Sequence, residues 1–152
     1  MTKDKALTGA AGEYYVAFRL AAEGYAVGLT PRGTTSIDLI VANPETGKTI
    51  TIQTKTMRDA LVPSKTHGPY WKWRTGKPQE PQKTFFYAFI NLKNDPSQAP
   101  DVFIVPSRKL APPLLEIYPE IGEPRDFWCV IYEKDRQEYS WDVIKAALEE
   151  SS

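Results

Sequence analysis

The sequence predicts an α/β domain in which a central mixed β-sheet of about five strands is flanked by helices. Three observations predict it. An N-terminal stretch carries apolar residues at helical spacing, short apolar runs bounded by Gly, Pro and Asn follow it, and a last amphipathic stretch stands near the C-terminus. At 152 residues and 17.2 kDa the chain fits one domain spanning 1–152, with loose ends at about 1–6 and 150–152.

From Thr8 to about Gly24, Val16, Ala17, Leu20 and Ala21 fall on one helical stripe, with Thr8 placed to cap the N-terminus and Gly24 to end the helix. Short strands are expected at Tyr25 to Leu29, Ile37 to Ala42 and Thr49 to Thr56. The last two form a hairpin around the turn Asn43 to Lys48, whose Pro44 and Gly47 suit a reversal. Residues 57–84 lack clean periodicity and hold Pro63, Pro69, Pro78 and Pro81, so they read as a long loop. Core strands are expected at Phe85 to Leu92 and Val102 to Pro106, and short helical pieces from Ser107 to Glu120, where Pro112, Pro113 and Pro119 interrupt. An edge strand is expected at Phe127 to Tyr132. Ser140 then caps a helix with Trp141, Ile144 and Leu148 facing inward.

The composition narrows the function. No apolar run approaches the roughly 20 residues that cross a bilayer, and Met1 to Gly9 has no apolar stretch suited to export, which predicts a cytoplasmic protein with no membrane partner. One cysteine and one histidine, Cys129 and His67, exclude an intramolecular disulfide and any multi-Cys or multi-His metal site, so a metal would be held by oxygen. Cys129 lies in an apolar run and reads as a core residue, and His67 as an incidental loop residue. The zero net charge hides a division: residues 1–84 carry 12 Lys+Arg against 7 Asp+Glu, and residues 85–152 carry 7 against 12. That asymmetry suggests a face for an anionic partner.

The chemistry concentrates in the hairpin. Side chains alternate along a strand, so Ile50 and Ile52 share one face, while Thr51, Gln53 and Lys55 share the other. Asp38 stands between Ile37 and Leu39 on the neighbouring strand, where a register could bring it beside Gln53. Asp38, the Gln53 amide oxygen and the Thr54 backbone carbonyl suit a hard cation such as Mg²⁺ or Mn²⁺. Lys55, about 7 Å along the strand from Gln53, could neutralise a phosphate or position a water. Glu13 extends the apolar stripe of the first helix, so its carboxylate faces inward as an outer ligand or an orienting group. Metal-assisted phosphodiester hydrolysis is the chemistry these groups suit. Taken singly each has an ordinary reading: Asp38 capping the hairpin, Gln53 and Lys55 solvated, Glu13 favoured near a helix N-terminus. Order, spacing and direction together point to a site.

Gly12-Glu13 with Val16 and Leu20, the Gly24-Tyr25 ending, Ile37-Asp38-Leu39-Ile40 and Ile52-Gln53-Thr54-Lys55 resemble, in that order, the PD-(D/E)xK nuclease superfamily. The resemblance covers roughly residues 8–56, and Phe85 to Pro106 look similar to the later core strands. It implies a restriction-endonuclease-like core and a Mg²⁺-dependent nuclease acting on DNA, with Asp38, Gln53 and Lys55 in the catalytic positions and Glu13 in the accessory one. It also implies products with a 5′-phosphate and a 3′-hydroxyl. No proline precedes Asp38, and Gln53 stands where an acid is more usual, which draws a cation less strongly.

The 57–84 segment carries Arg58, Lys65, Lys72, Arg74 and Lys77 with Trp71 and Trp73 among them, and reads as a DNA-binding loop whose cations meet phosphates and whose rings stack on bases. The competing reading buries Trp71 and Trp73 beneath the loop. Cutting both strands would take two sites, which predicts a homodimer. RNA suits the same residues as a substrate, and a nuclease-fold module that binds nucleic acid or a protein partner with weak or no turnover is the alternative function.

Overall fold

The structure, a computed structural model, describes residues 4–31, 36–118 and 126–150. Among the described residues eleven elements follow one another: α1 (Lys5–Ala22), β1 (Ala26–Leu29), β2 (Leu39–Ala42), β3 (Thr49–Arg58), β4 (Leu61–Val62), β5 (Tyr70–Arg74), β6 (Phe85–Leu92), β7 (Asp101–Pro106), β8 (Leu115–Tyr118), β9 (Asp126–Tyr132) and α2 (Asp142–Glu149). Short 3₁₀ turns lie at Ser107–Lys109 and Glu133–Tyr139.

A five-stranded mixed sheet, in the order β1-β2-β3-β6-β7, forms the centre. All its pairs are antiparallel except β3–β6, which runs parallel from Thr51 opposite Phe85 to Arg58 opposite Leu92. The two helices cover one face, over a core that includes Val16, Leu20, Leu39, Ile52, Ile90 and Ile144. A second, four-stranded sheet in the order β4-β5-β9-β8 covers the other face, around Trp71, Trp73, Phe89, Phe103, Cys129 and Ile131. Because β6 is covered on both faces, all eight of its residues are buried, which explains its continuous apolar run. Burial also pushes the Cys129 thiol pKa up, as expected of a core cysteine.

The second sheet corrects the sequence reading. Residues 57–84 hold β4 and β5 as well as the end of β3, and the Ser107 to Glu120 stretch contributes β8, residues 119–120 of it lying outside those described. The strand at Phe127 to Tyr132 is interior, since β9 pairs with β5 on one side and β8 on the other. Trp71 and Trp73 are 2% and 0% exposed, and the Trp73 indole N–H donates to the Ile90 carbonyl at 3.0 Å. Both rings are therefore core anchors and not a platform for bases. Alternation along β5 is the physical reason: the tryptophans point into the core, whereas Lys72 and Arg74 take the outer face beside Glu116 and Asp126.

Helix α1 begins ahead of Thr8. Asp4 is the cap, its Oδ1 accepting from the N–H of Ala6 at 2.7 Å and of Leu7 at 3.2 Å, and Thr8 sits within the first turns. The turn after β2 holds the C-terminal end of α2: Asn43 Nδ2 and Thr46 Oγ1 donate to the Leu148 carbonyl at 3.0 and 3.1 Å. Near the start of α2 the Ser140 hydroxyl accepts from the Asp142 N–H at 3.3 Å.

Candidate active site

The site is built where β2 ends against the middle of β3. The last paired residues are Leu39 and Ile52, and the Asp38 N–H also donates to the Ile52 carbonyl, at 2.9 Å. Two residues thus face one, the arrangement of a bulge, and a bulge re-aims a side chain. The Asp38 carboxylate accordingly meets Thr54: Oδ2 accepts from the Thr54 N–H at 2.7 Å and from Thr54 Oγ1 at 3.1 Å. The expected placement of Asp38 beside Gln53 becomes a hydrogen bond one residue further along β3.

Asp38 is held from its other side by Thr30 at the end of β1. The Thr30 N–H donates to the Asp38 carbonyl at 3.1 Å, and Thr30 Oγ1 to the Ile37 carbonyl at 2.5 Å. Neither Thr30 nor the Thr54 side chain was singled out from sequence, and only the strand ends could have indicated them.

Strand β3 has two unlike faces. Ile50 and Ile52 lie in the core beneath the helices, and Thr56 on the same face meets α1 at Gly12, where an added Cβ would stand 2.0 Å from Thr56 Oγ1. Only glycine allows that approach. It sets Glu13, a buried carboxylate, next to the contact between helix and strand. On the opposite face Gln53 and Lys55 are half-buried, in register with Tyr87 and Phe89 of β6. Burial lowers the Lys55 pKa from its ordinary value near 10.5, and the negative charge of Asp38 opposes that shift. Asp38 lies at the strand edge where the two faces meet, bonded to Thr54 and electrostatically coupled to Lys55. The N–H and C=O of one strand residue lean to the same edge, so the Thr54 carbonyl leans toward Asp38 as well.

Asp38 and the Thr54 carbonyl share one edge of β3, with Gln53 on the face turned away from the helices and Glu13 on the helix side; all offer oxygen, the donor type a hard divalent cation takes. Among the described residues no three His, Cys, Asp or Glu side chains group to hold a metal ion, which leaves any such site dependent on amide and carbonyl oxygen.

The remaining predicted residues divide. Arg58 is turned inward, its Nη2 donating to Thr8 Oγ1 at 3.2 Å and Nη1 to the Lys93 carbonyl at 3.3 Å, so it ties α1 to the sheet instead of facing a ligand. Lys65 and Lys77 are exposed in the segments flanking β5. The segment after β5 returns to the site: Gln79 and Gln82 line a cleft of about 130 Å³ with Ser36, Ile37, Thr51 and Phe85, next to Asp38. No described helix is long and apolar enough to cross a membrane.

No protein-family model and no curated protein matches the sequence. Among solved structures the chain is similar to a bacterial homing endonuclease, I-Ssp6803I, with a TM-score of 0.52 and 14% identity over 93% of this chain and 86% of that one. The likeness is one of fold: a five-stranded mixed sheet with helices packed on it.

Proposed function

We propose that the protein is a metal-dependent nuclease that hydrolyses DNA phosphodiester bonds, of the PD-(D/E)xK type in its Gln-x-Lys form. The observation that carries the reading is the 2.7 Å bond from the Thr54 N–H to Asp38, which fixes a carboxylate on β3 between Gln53 and Lys55. A solvated surface aspartate has no need of such a bond. The likeness to a homing endonuclease supports the reading at the level of fold, and DNA is the substrate that likeness suggests.

In this reading Asp38, Gln53 and the Thr54 carbonyl would hold Mg²⁺ or Mn²⁺, with Glu13 as an outer group. The metal, when bound, polarises the phosphoryl group and eases ionisation of water. Lys55 places its ammonium where negative charge grows on the phosphate, and its half-buried position strengthens that interaction. Asp38, restrained by Thr30 and Thr54, needs no rearrangement to serve. Glu13, on the helix side of the sheet, would act at a distance, through water, and not on the Lys55 ammonium, which lies on the opposite face. Lys65 and Lys77, both exposed, supply contacts to the phosphate backbone, whereas Lys72 and Arg74 are already paired with Glu116 and Asp126.

A second reading, a nuclease-fold module that binds nucleic acid or a protein partner with little or no turnover, is favoured by Gln53, which brings a neutral amide to a position where a carboxylate would bind a cation more strongly. One experiment separates them. Purified protein is incubated with supercoiled plasmid, single-stranded DNA, branched DNA and RNA, with Mg²⁺, Mn²⁺ or chelator, alongside Lys55→Ala and Asp38→Asn. The enzyme reading expects metal-dependent cleavage that falls by about 100-fold or more in both variants. Retarded DNA with no cleavage in either metal assigns the module, and cleavage untouched by Lys55→Ala refutes the site.

A further inference from the structure

Helix α1 is apolar on both sides. Its inner face, Val16 and Leu20 among others, packs on the sheet. Its outer face carries Leu7, Ala11, Tyr14, Phe18, Ala21 and Ala22, all exposed, at the spacing of a single stripe and without a charge among them. Leu7 is 71% exposed, Tyr14 56% and Phe18 63%. An exposed apolar stripe on a helix already packed on its other side marks a contact surface.

We infer that this stripe is covered by a second copy of the chain, through an antiparallel, two-fold contact of α1 with α1. The order of residue sizes along the stripe specifies this occupant. Tyr14 stands at the centre, with Leu7 and Ala21 equally far on either side and Ala11 and Phe18 at nearly equal steps. A two-fold axis beside Tyr14 therefore sets the large Leu7 of one copy against the small Ala21 and Ala22 of the other. It likewise sets Phe18 against the partner's Ala11, so that knobs meet hollows at both ends. Such self-complementarity is what an isologous contact requires, and no particular unrelated partner would select it. With no charge on the stripe the two copies meet without like-charge repulsion, and the antiparallel arrangement opposes the two helix dipoles.

The area agrees. At their present exposures the three large side chains leave on the order of 400 Å² accessible per copy, so a two-fold contact covers about 800 Å² before anything else is counted. Stable dimers bury about 1,200–2,000 Å². The alanines contribute to the difference, as does a groove of about 470 Å³ beside the stripe, lined by Ala11, Tyr15, Arg58, Leu92, Pro96 and Pro100. The pairing is independent of the chemistry at Lys55, because it is read without substrate or metal.

Sedimentation velocity of the full chain tests it. The wild type is expected at twice the 17.2 kDa chain mass, and Phe18→Glu at the monomer mass with the dissociation constant raised about 100-fold or more, its circular dichroism unchanged and its thermal midpoint no longer dependent on protein concentration. Tyr14→Cys gives a second readout: mild oxidation should link two copies through the stripe, since the native Cys129 is 0% exposed and does not compete. Tyr70→Cys, on the second sheet, is the control. A wild type that stays monomeric up to its solubility limit overturns the inference. So does a dimer indifferent to Phe18→Glu, crosslinking no stronger at 14 than at 70, or binding of the monomer to phosphatidylcholine vesicles that Phe18→Glu abolishes.

Discussion

Gly12→Ala is the most informative single perturbation of the fold around the site. Alanine in a helix interior is favoured over glycine by about 0.8–1.0 kcal/mol, so on local grounds the variant should gain stability. Packing reverses the sign. The new Cβ would lie 2.0 Å from Thr56 Oγ1, 2.7 Å from its Cγ2 and 2.9 Å from its Cβ, all inside van der Waals contact. Thr56 is β-branched and stiff, and its Cβ is anchored to the middle of the sheet, so α1 itself must move away from β3. Overpacking of this kind costs about 1–3 kcal/mol, and three simultaneous clashes put it at the upper end. The net expectation is a loss of about 1–2 kcal/mol, or a fall in thermal midpoint of about 3–6 °C for a chain of this size.

Urea titration followed by circular dichroism measures it. Thr56→Ala is the partner in a double-mutant cycle, because it removes the two closest atoms and also deletes a buried hydroxyl that has no hydrogen-bond partner. Gly12→Ala in the Thr56→Ala background should recover about 1 kcal/mol or more of the loss. A Gly12→Ala protein as stable as the wild type, or a cycle that closes with no coupling, refutes the close approach of helix and strand beside Glu13.

Two further outcomes follow from the same structure. Because burial lowers the Lys55 pKa from its ordinary 10.5, the unfolded chain holds more protons there than the folded one between the two pKa values, so the contribution of Lys55 to stability rises with pH across the window that ends at 10.5. Lys55→Met should therefore be more stable than the wild type at neutral pH, with the difference shrinking as pH approaches 10.5; a difference constant with pH refutes the burial of the ammonium. Trp73→Ala should cost about 3–5 kcal/mol in urea titrations, because the ring is fully buried and its N–H is bonded to Ile90; a stable variant impaired only in DNA binding would restore the stacking role.

What was legible in the sequence was what depends on local periodicity. Strand β6 matched its expected bounds, Phe85 to Leu92, and the hairpin of β2 and β3 lay where Pro44 and Gly47 placed its turn. The second sheet was obscured because its strands are short and punctuated. In β5, Tyr-Trp-Lys-Trp-Arg does alternate with period two, but the flanking Gly68-Pro69 and Gly76 signal a loop, and outward cations beside inward tryptophans resemble a binding segment. Which side each residue occupies is set by pairing with β9, some 55 residues later, and long-range pairing leaves no local mark. Gly12 entered the sequence reading only as part of a motif, and its packing role went unread: an interior helical glycine costs stability unless something must approach closely.

The position of Asp38 was only half legible, and the missing half concerns function. A carboxylate that merely ended the hairpin would bond within its own turn, as Asn43 does with Glu45. Asp38 instead reaches across to Thr54, a residue 16 positions away, beyond the last β2–β3 pair. There it satisfies an N–H that no β2 residue covers, and a charged acceptor on a backbone donor contributes about 1.5–3 kcal/mol. The same bond therefore serves the fold and locks the carboxylate beside Lys55. Its structural and chemical roles separate only in a substitution that keeps the acceptor and removes the charge. Asp38→Asn does this, whereas alanine at the same position would confound the two.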